Sequence, residues 1–322
     1  MAAPFIITID TEGDNAWSHP RQITTRNAAW LPGFQALAER CGFRPTWLVN
    51  WEMAHDAVCV EFLRDVLARQ AGEVGLHLHA WDTPPLEPLT EDDARHHPYL
   101  IEYPEALMGA KLERLAGVLE ETFQRPLRSH RAGRWAFNGR LARWLREHGF
   151  AADCSVCPGV DWRTTKGDPR GSGGPDYRRA PREPYFINEG NILEPDETPV
   201  AGALLEVPMT IAAPQSRWSK ALLECCSKRH HWLRPNGRNG LALRQRVDEI
   251  AGSGSHLMFM IHSSELMPGG SPTFPSEDSI TRLNREIEEL FVYAQGCGCP
   301  GRTLGEFASE WGAVSTPADG RK

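Results

Sequence analysis

Residues Phe5 to Asp14 read FIITIDTEGD. The first half is a short, unbroken apolar and β-branched run, the pattern of a strand buried on both faces in a parallel sheet. The second half is acidic, with Asp10, Glu12 and Asp14 at alternate positions. Residues i and i+2 of a strand share a face, so Asp10 and Glu12 can converge while Thr11 points elsewhere. A buried first strand that ends in carboxylates puts charge at the carboxyl end of a sheet, where α/β barrels place their sites.

The same alternation continues along the chain. Strands are expected at Phe5–Asp10, Thr46–Asn50, Val74–His79, Ser129–Trp135, Ala151–Val156, Leu204–Thr210 and Leu257–Ser263. Helical patterns lie between them, at Trp30–Cys41, Glu61–Gln70, Glu105–Thr122, Gly139–His148, Leu241–Ala251 and Ser279–Gln295. Strand alternating with helix implies a parallel sheet with crossover connections. Six or seven such units predict an α/β fold of the distorted (β/α)7–8 barrel kind, which need not close completely. Residues 1–322 are read as one such domain with long loop insertions near 80–103 and 159–203. Both insertions follow strands and are too long for plain connectors, so both are expected at the mouth of the barrel. The second carries Arg163, Arg170, Arg178, Arg179 and Arg182 and is expected to form part of the substrate wall.

Polar groups collect at the other strand ends. Gly75–Trp81 reads GLHLHAW, Ser129–Trp135 reads SHRAGRW, Ala152–Ser155 reads ADCS, and Leu257–Leu266 reads LMFMIHSSEL. His77 and His79 share a face by the period-two rule. Two imidazoles and a carboxylate at one barrel mouth can bind a divalent ion and leave a position open for water. His-x-His alone is a weak signal. Its weight comes from Asp10, Glu12, Arg131, Asp153 and His262 standing at other strand ends.

In order and spread these stretches resemble the polysaccharide deacetylase family (carbohydrate esterase family four, the NodB-homology fold), and most closely its surface-polysaccharide subgroup. The likeness runs from the first strand to the last helix. It implies that Asp10 is the catalytic base, that Arg131 orients it, and that Asp153 tunes His262, the acid. It implies that His77 is the first metal ligand. Two positions depart from the family pattern. Thr11 stands where the family has a second adjacent aspartate, which makes Glu12 the expected carboxylate ligand, with Asp14 as a weaker candidate. Trp81 stands where the family has its second histidine, so His79 is expected to take that place. The metal is expected to be zinc. A backbone N–H near Trp135 would stabilise the oxyanion.

Composition narrows the partners. A net charge of −7 argues against a nucleic-acid binder that works through bulk charge. No stretch of about 18 apolar residues is present, so no membrane span is expected. Pro4–Ile9 lacks the layout of a signal peptide, and a cytoplasmic protein is expected. Eight cysteines without framework spacing fit that compartment. Cys154 and Cys157 form a CxxC with no second pair, and Cys225, Cys226, His230 and His231 have poor spacing for zinc.

The resemblance implies an N-acetylated sugar as substrate, in a surface polysaccharide or its nucleotide- or lipid-linked precursor. Trp17, Trp81, Trp135 and Trp162, with Arg134, lie in or near the motifs, and flat aromatic faces suit a sugar ring. An amidohydrolase barrel would carry His-x-His on its first strand and a metal-binding Asp on its last, the reverse of this chain. A small-amide hydrolase on the same fold and a catalytically silent carbohydrate-binding protein are the alternatives.

Overall fold

The computed structural model describes residues 2–14, 22–165, 171–211 and 232–315. Trp17, Arg170 and the Cys225, Cys226, His230, His231 group lie outside these. The strands in chain order are β1 (Phe5–Thr11), β2 (Thr46–Val49), β3 (Glu73–Leu78), β4 (Ser129–Ala132), β5 (Ala152–Asp153), β6 (Tyr185–Phe186), β7 (Leu205–Glu206), β8 (Leu257–His262) and β9 (Gly301–Arg302). They form a curled half-barrel in the order β6-β7-β5-β4-β3-β2-β1-β8, with β9 paired to β1. All pairs are parallel except β6 with β7. The barrel does not close by a strand ladder among the described residues. Irregular chain covers the gap: Thr210 Oγ accepts from Met258 N at 2.8 Å, and the Leu233 carbonyl from Met260 N at 3.4 Å.

The helices are α1 (Leu31–Arg40), α2 (Trp51–Ala54), α3 (Ala57–Ala68), α4 (Asp93–His96), α5 (Glu105–Phe123), α6 (Gly139–Glu147), α7 (Gly240–Ile250), α8 (Glu277–Gly296) and α9 (Leu304–Ser315). Their starts follow capping chemistry. Asp56 accepts from Cys59 N, so α3 begins four residues before the apolar periodicity alone indicates. Asn138 and Ser276 cap α6 and α8 in the same way. The central strands are buried on both faces, and Phe5, Phe34, Phe43, Phe259 and Phe291 fill the layer between β1, β8 and their helices. The expected strands were too long at β4, β5 and β7. β4 stops at Ala132 because Arg134 and Trp135 turn into the left-handed region.

Register decides what meets at the carboxyl ends. In the β1–β8 ladder Asp10 lies opposite His262, and in the β3–β4 ladder His77 lies opposite Arg131. Residues distant in the chain thereby become neighbours through backbone pairing alone.

Candidate active site

Asp10, Glu12, His77, His79, Trp81, Arg134, Trp135, Trp162 and His262 line one cavity of about 320 Å³, together with Tyr99, Ala132, Thr165 and Arg234. Arg131 and Asp153 are not among the lining residues. Arg131 stands behind Asp10, fully buried, with Nη1 donating to Asp10 Oδ1 at 2.6 Å and Nη2 to Thr8 Oγ1 at 2.7 Å. Burial by itself would raise the Asp10 pKa. The Arg131 guanidinium, then His77 and His262, outweigh it and hold the carboxylate below its usual range. Asp10 is therefore an ionised acceptor facing the cavity. His262 Nε2 lies 3.7 Å from Asp10 Oδ2 and 3.8 Å from Glu12 Oε1, so an imidazole and two carboxylates face the same space.

Glu12, His77 and His79 present ligand atoms within 4.8 Å of one another, a group that could hold a metal ion. His79 Nε2 is 2.9 Å and His77 Nε2 3.7 Å from Glu12 Oε2. The donor chemistry fits a divalent cation. His77 Nδ1–H donates to the Arg131 carbonyl at 2.9 Å, which leaves the Nε2 lone pair directed at the cluster. Glu12 is held well below the usual carboxylate range: burial opposes this, but His262, His77 and His79 outweigh it. His77 is raised, because Asp10 and Glu12 outweigh the effect of its burial.

The backbone around Glu12 is pinned by two residues the motifs did not single out. Ser263 Oγ accepts from Glu12 N at 3.0 Å and donates to the Glu12 carbonyl at 2.8 Å, and Asn27 Nδ2 donates to that carbonyl at 2.8 Å. Asp14, the other candidate carboxylate, is turned away. Its oxygens accept from Thr24 Oγ1, Arg26 N and the Arg26 guanidinium at 2.6–3.0 Å. Gly133 has a steric role. A Cβ there would come within 2.3 Å of the Leu78 carbonyl and 2.8 Å of His79 Nδ1. The Trp81 ring packs on His79 at 4.4 Å between centroids, occupying the place where the resemblance has a histidine.

Asp153 requires a correction. Its carboxylate is taken by His130 Nδ1 at 2.5 Å and by Ser155 N and Oγ at 2.8 and 2.9 Å. The carboxylate beside His262 is Glu265, with Oε2 at 3.2 Å from His262 Nδ1, 3.0 Å from His262 N and 2.7 Å from Arg234 Nη2. Arg234 Nη2 also lies 2.8 Å from His262 Nδ1. The cause is local: Ser263–Leu266 forms a single 3-10 turn, which folds Glu265 back onto the residue three positions before it. Burial would raise Glu265, but Arg234 and His262 pull it down to about 2.

A folded-state pKa below the ordinary 4.5 means that this contribution to stability is present above pH 4.5 and is lost as pH falls towards 2. Urea-unfolding midpoints followed from about pH 5 to pH 2 should therefore fall less steeply for Glu265→Gln than for the wild type. Equal slopes would show that Glu265 carries no acid-labile stability.

The cavity wall stores strain. Arg134 and Trp135 both have left-handed backbone, with φ of 54° and 62°. Such non-glycine residues cost about 1–3 kcal/mol each and persist where the surroundings fix them. Here the Trp135 carbonyl accepts from Tyr177 Oη at 2.7 Å, and the Arg131 guanidinium lies over the Trp135 ring.

Among the described residues, the second long insertion reaches the cavity through Trp162 and Thr165. Three of its described arginines are engaged elsewhere. Arg163 and Arg178 pair with Asp161 and Asp176, and Arg182 donates to the Ile211 carbonyl. The first insertion contributes Trp81 and Tyr99. Cys154 and Cys157 are buried free thiols hydrogen-bonded to backbone carbonyls, and burial pushes both well above the usual thiol range. They are poorly suited to redox or metal chemistry. Among the described residues no helix is long and apolar enough to cross a membrane.

No protein-family model matches the sequence, and no curated protein matches it by sequence comparison. Solved structures do share its fold. A Mycobacterium smegmatis protein assigned as a polysaccharide deacetylase superposes with a TM-score of 0.57 at 16% identity, over 99% of this chain and 93% of that one. A Parabacteroides distasonis protein assigned as a glycoside hydrolase/deacetylase gives 0.64 at 10% identity, over 99% and 73%. A 4-alpha-glucanotransferase from Thermococcus litoralis gives 0.52 at 11% identity, over 96% and 41%. The chain thus has the incomplete α/β barrel found in polysaccharide deacetylases, and since a shared fold does not fix the chemistry, the reaction has to be argued from the side chains in the cavity.

Proposed function

We propose that this protein is a metal-dependent deacetylase of the carbohydrate esterase four type, which removes an N-acetyl group from a sugar. The observation that carries this reading is the convergence in one cavity of an Arg-held carboxylate, a carboxylate-backed histidine and a Glu-His-His group, walled by indoles. Glu12, His77 and His79 would hold the divalent ion, for which zinc suits the imidazole–carboxylate set. A divalent ion held there would polarise an acyl carbonyl and lower the pKa of a water.

The remaining work falls to the protein's own groups. Asp10, kept ionised by Arg131, accepts the proton of the attacking water. His262 donates a proton to the departing amine, since an amide anion is too basic to leave unassisted. Such general acid and base assistance is commonly worth about 10²–10⁴-fold each. Glu265 and Arg234 fix the His262 ring from its Nδ1 side. Trp81, Trp135 and Trp162 supply flat faces for the sugar, and the substrate class extends to nucleotide- or lipid-linked precursors of a surface polysaccharide. A soluble, cytoplasmic role in building such a precursor is part of the same proposal, as is the reading of the chain as one deacetylase domain.

The test is release of acetate from N-acetylglucosamine oligomers and from a nucleotide-linked N-acetyl sugar by zinc-loaded protein. Equal amounts of acetate and free amine are expected. Absence of acetate from every N-acetylated sugar, with metal bound, would overturn the reading in favour of a silent carbohydrate-binding protein.

A further inference from the structure

Among the described residues three arginines belong to the cavity or its floor, and two are accounted for. Arg131 is spent on Asp10, and Arg234 on Glu265 and His262. The third, Arg134, lines the cavity, is partly buried and pairs with no carboxylate among the described residues. Its guanidinium carbon lies over the Tyr99 ring, 5.1 Å from the centroid. That ring is fixed in turn, because its hydroxyl donates to the Thr165 carbonyl and Gly174 packs against it so closely that a Cβ there would come within 3.0 Å of Tyr99 Cε1. Arg134 also hydrogen-bonds the Tyr99 side chain, but a guanidinium carries five N–H donors, so others are left to receive an oxyanion in a fork.

The backbone shows that this placement is imposed. Arg134 and Trp135 are successive left-handed residues without glycine, and the turn they make presents both side chains to the cavity. A hydrogen bond to the Tyr99 side chain anchors Arg134, yet it leaves the charge without a carboxylate partner among the described residues, beside a sugar-sized cavity. Of the described arginines in the covering insertion, Arg163 and Arg178 pair with Asp161 and Asp176, and Arg182 donates to the Ile211 carbonyl.

We propose that Arg134 on its Tyr99 platform is an anion subsite, and that the substrate is an N-acylated sugar bearing a negatively charged oxygen group, phosphate or carboxylate. The proposal rests on the deacetylase reading for the sugar, but its binding test is independent of turnover. A charge-assisted fork of this kind is worth tenfold or more in affinity.

Zinc-loaded protein is titrated calorimetrically with three probes: N-acetylglucosamine 1-phosphate, an N-acetylated hexosaminuronic acid, and the neutral methyl glycoside of N-acetylglucosamine. The wild type should bind at least one anionic probe about tenfold or more tightly than the neutral one. The anionic probe preferred tells phosphate from carboxylate. Arg134→Gln should reduce that preference about tenfold, and Arg134→Lys, which keeps the charge but not the fork, should retain part of it. A merely structural Arg134 would weaken all three probes alike and leave the ratio unchanged. An unchanged ratio in Arg134→Gln, or no anionic preference in the wild type, overturns the subsite. Hydrolysis of the same probes separates the two readings: preferential binding with no acetate release removes the deacetylase and keeps the subsite.

Discussion

Asp10→Asn should lower turnover on an N-acetyl sugar by about 10²–10⁴-fold while the metal stays bound. Asp10 faces the cavity as an ionised acceptor, but the group that could hold an ion is Glu12, His77 and His79. Asparagine keeps the shape and an oxygen for Arg131 Nη1 but cannot take a proton from water. It also removes the charge that compensates a fully buried guanidinium. Breaking a buried ion pair outright costs about 3–5 kcal/mol, and an isosteric acceptor should soften that loss. Thermal unfolding, metal content and initial rates are therefore to be measured on the same samples. A folded, metal-loaded and nearly inactive variant is the expected result. Loss of metal together with activity would make Asp10 a ligand, and full activity would remove it from the chemistry.

The strand ends carried most of this site in the sequence. Asp10 and Glu12, His77 and His79, Arg131 and His262 were recognisable because a buried apolar run that ends in a polar residue identifies the carboxyl end of a parallel strand. Backbone register then does the rest, as with Asp10 opposite His262. What escaped is what depends on turns. Glu265 reaches His262 through one 3-10 turn that no strand or helix period encodes. Asp153 looked equivalent from its place on a strand, yet His130, next to it in the β4–β5 register, captures it. Tyr99 and Arg234 come from irregular chain, and their side chains are held at the cavity by long-range hydrogen bonds to Thr165 and to Glu265 that no local period encodes. Asp14 was a fair candidate until the Asp14–Thr24 bridge brought Arg26 against it. The short β9 and helix α9 were also missed, since two residues of strand carry no period and Leu304–Ser315 mixes glycine and serine with its apolar positions.

A His77→Ala, His79→Ala double variant should lose nearly all its metal, and this is the larger of the two effects on composition. Removing both imidazoles leaves Glu12 as the one remaining ligand of the group. A lone carboxylate against competing water cannot hold a borderline-soft ion tightly. The pH dependence has a definite sign. Protons and metal compete for the imidazole nitrogen, so affinity falls as pH drops. His77 sits above its ordinary value while Glu12 lies well below its own, so acidification should release metal through histidine protonation before Glu12 is neutralised. Asp14→Asn is the matched control: Asp14 is engaged by Thr24 and Arg26, and its loss should leave metal content as in the wild type. Equilibrium dialysis against zinc, with elemental analysis at several pH values, reads all three proteins. Near-stoichiometric metal in the double variant would move the ion elsewhere, and depletion in Asp14→Asn would show that Asp14 leaves Arg26 to become a ligand when the ion is present.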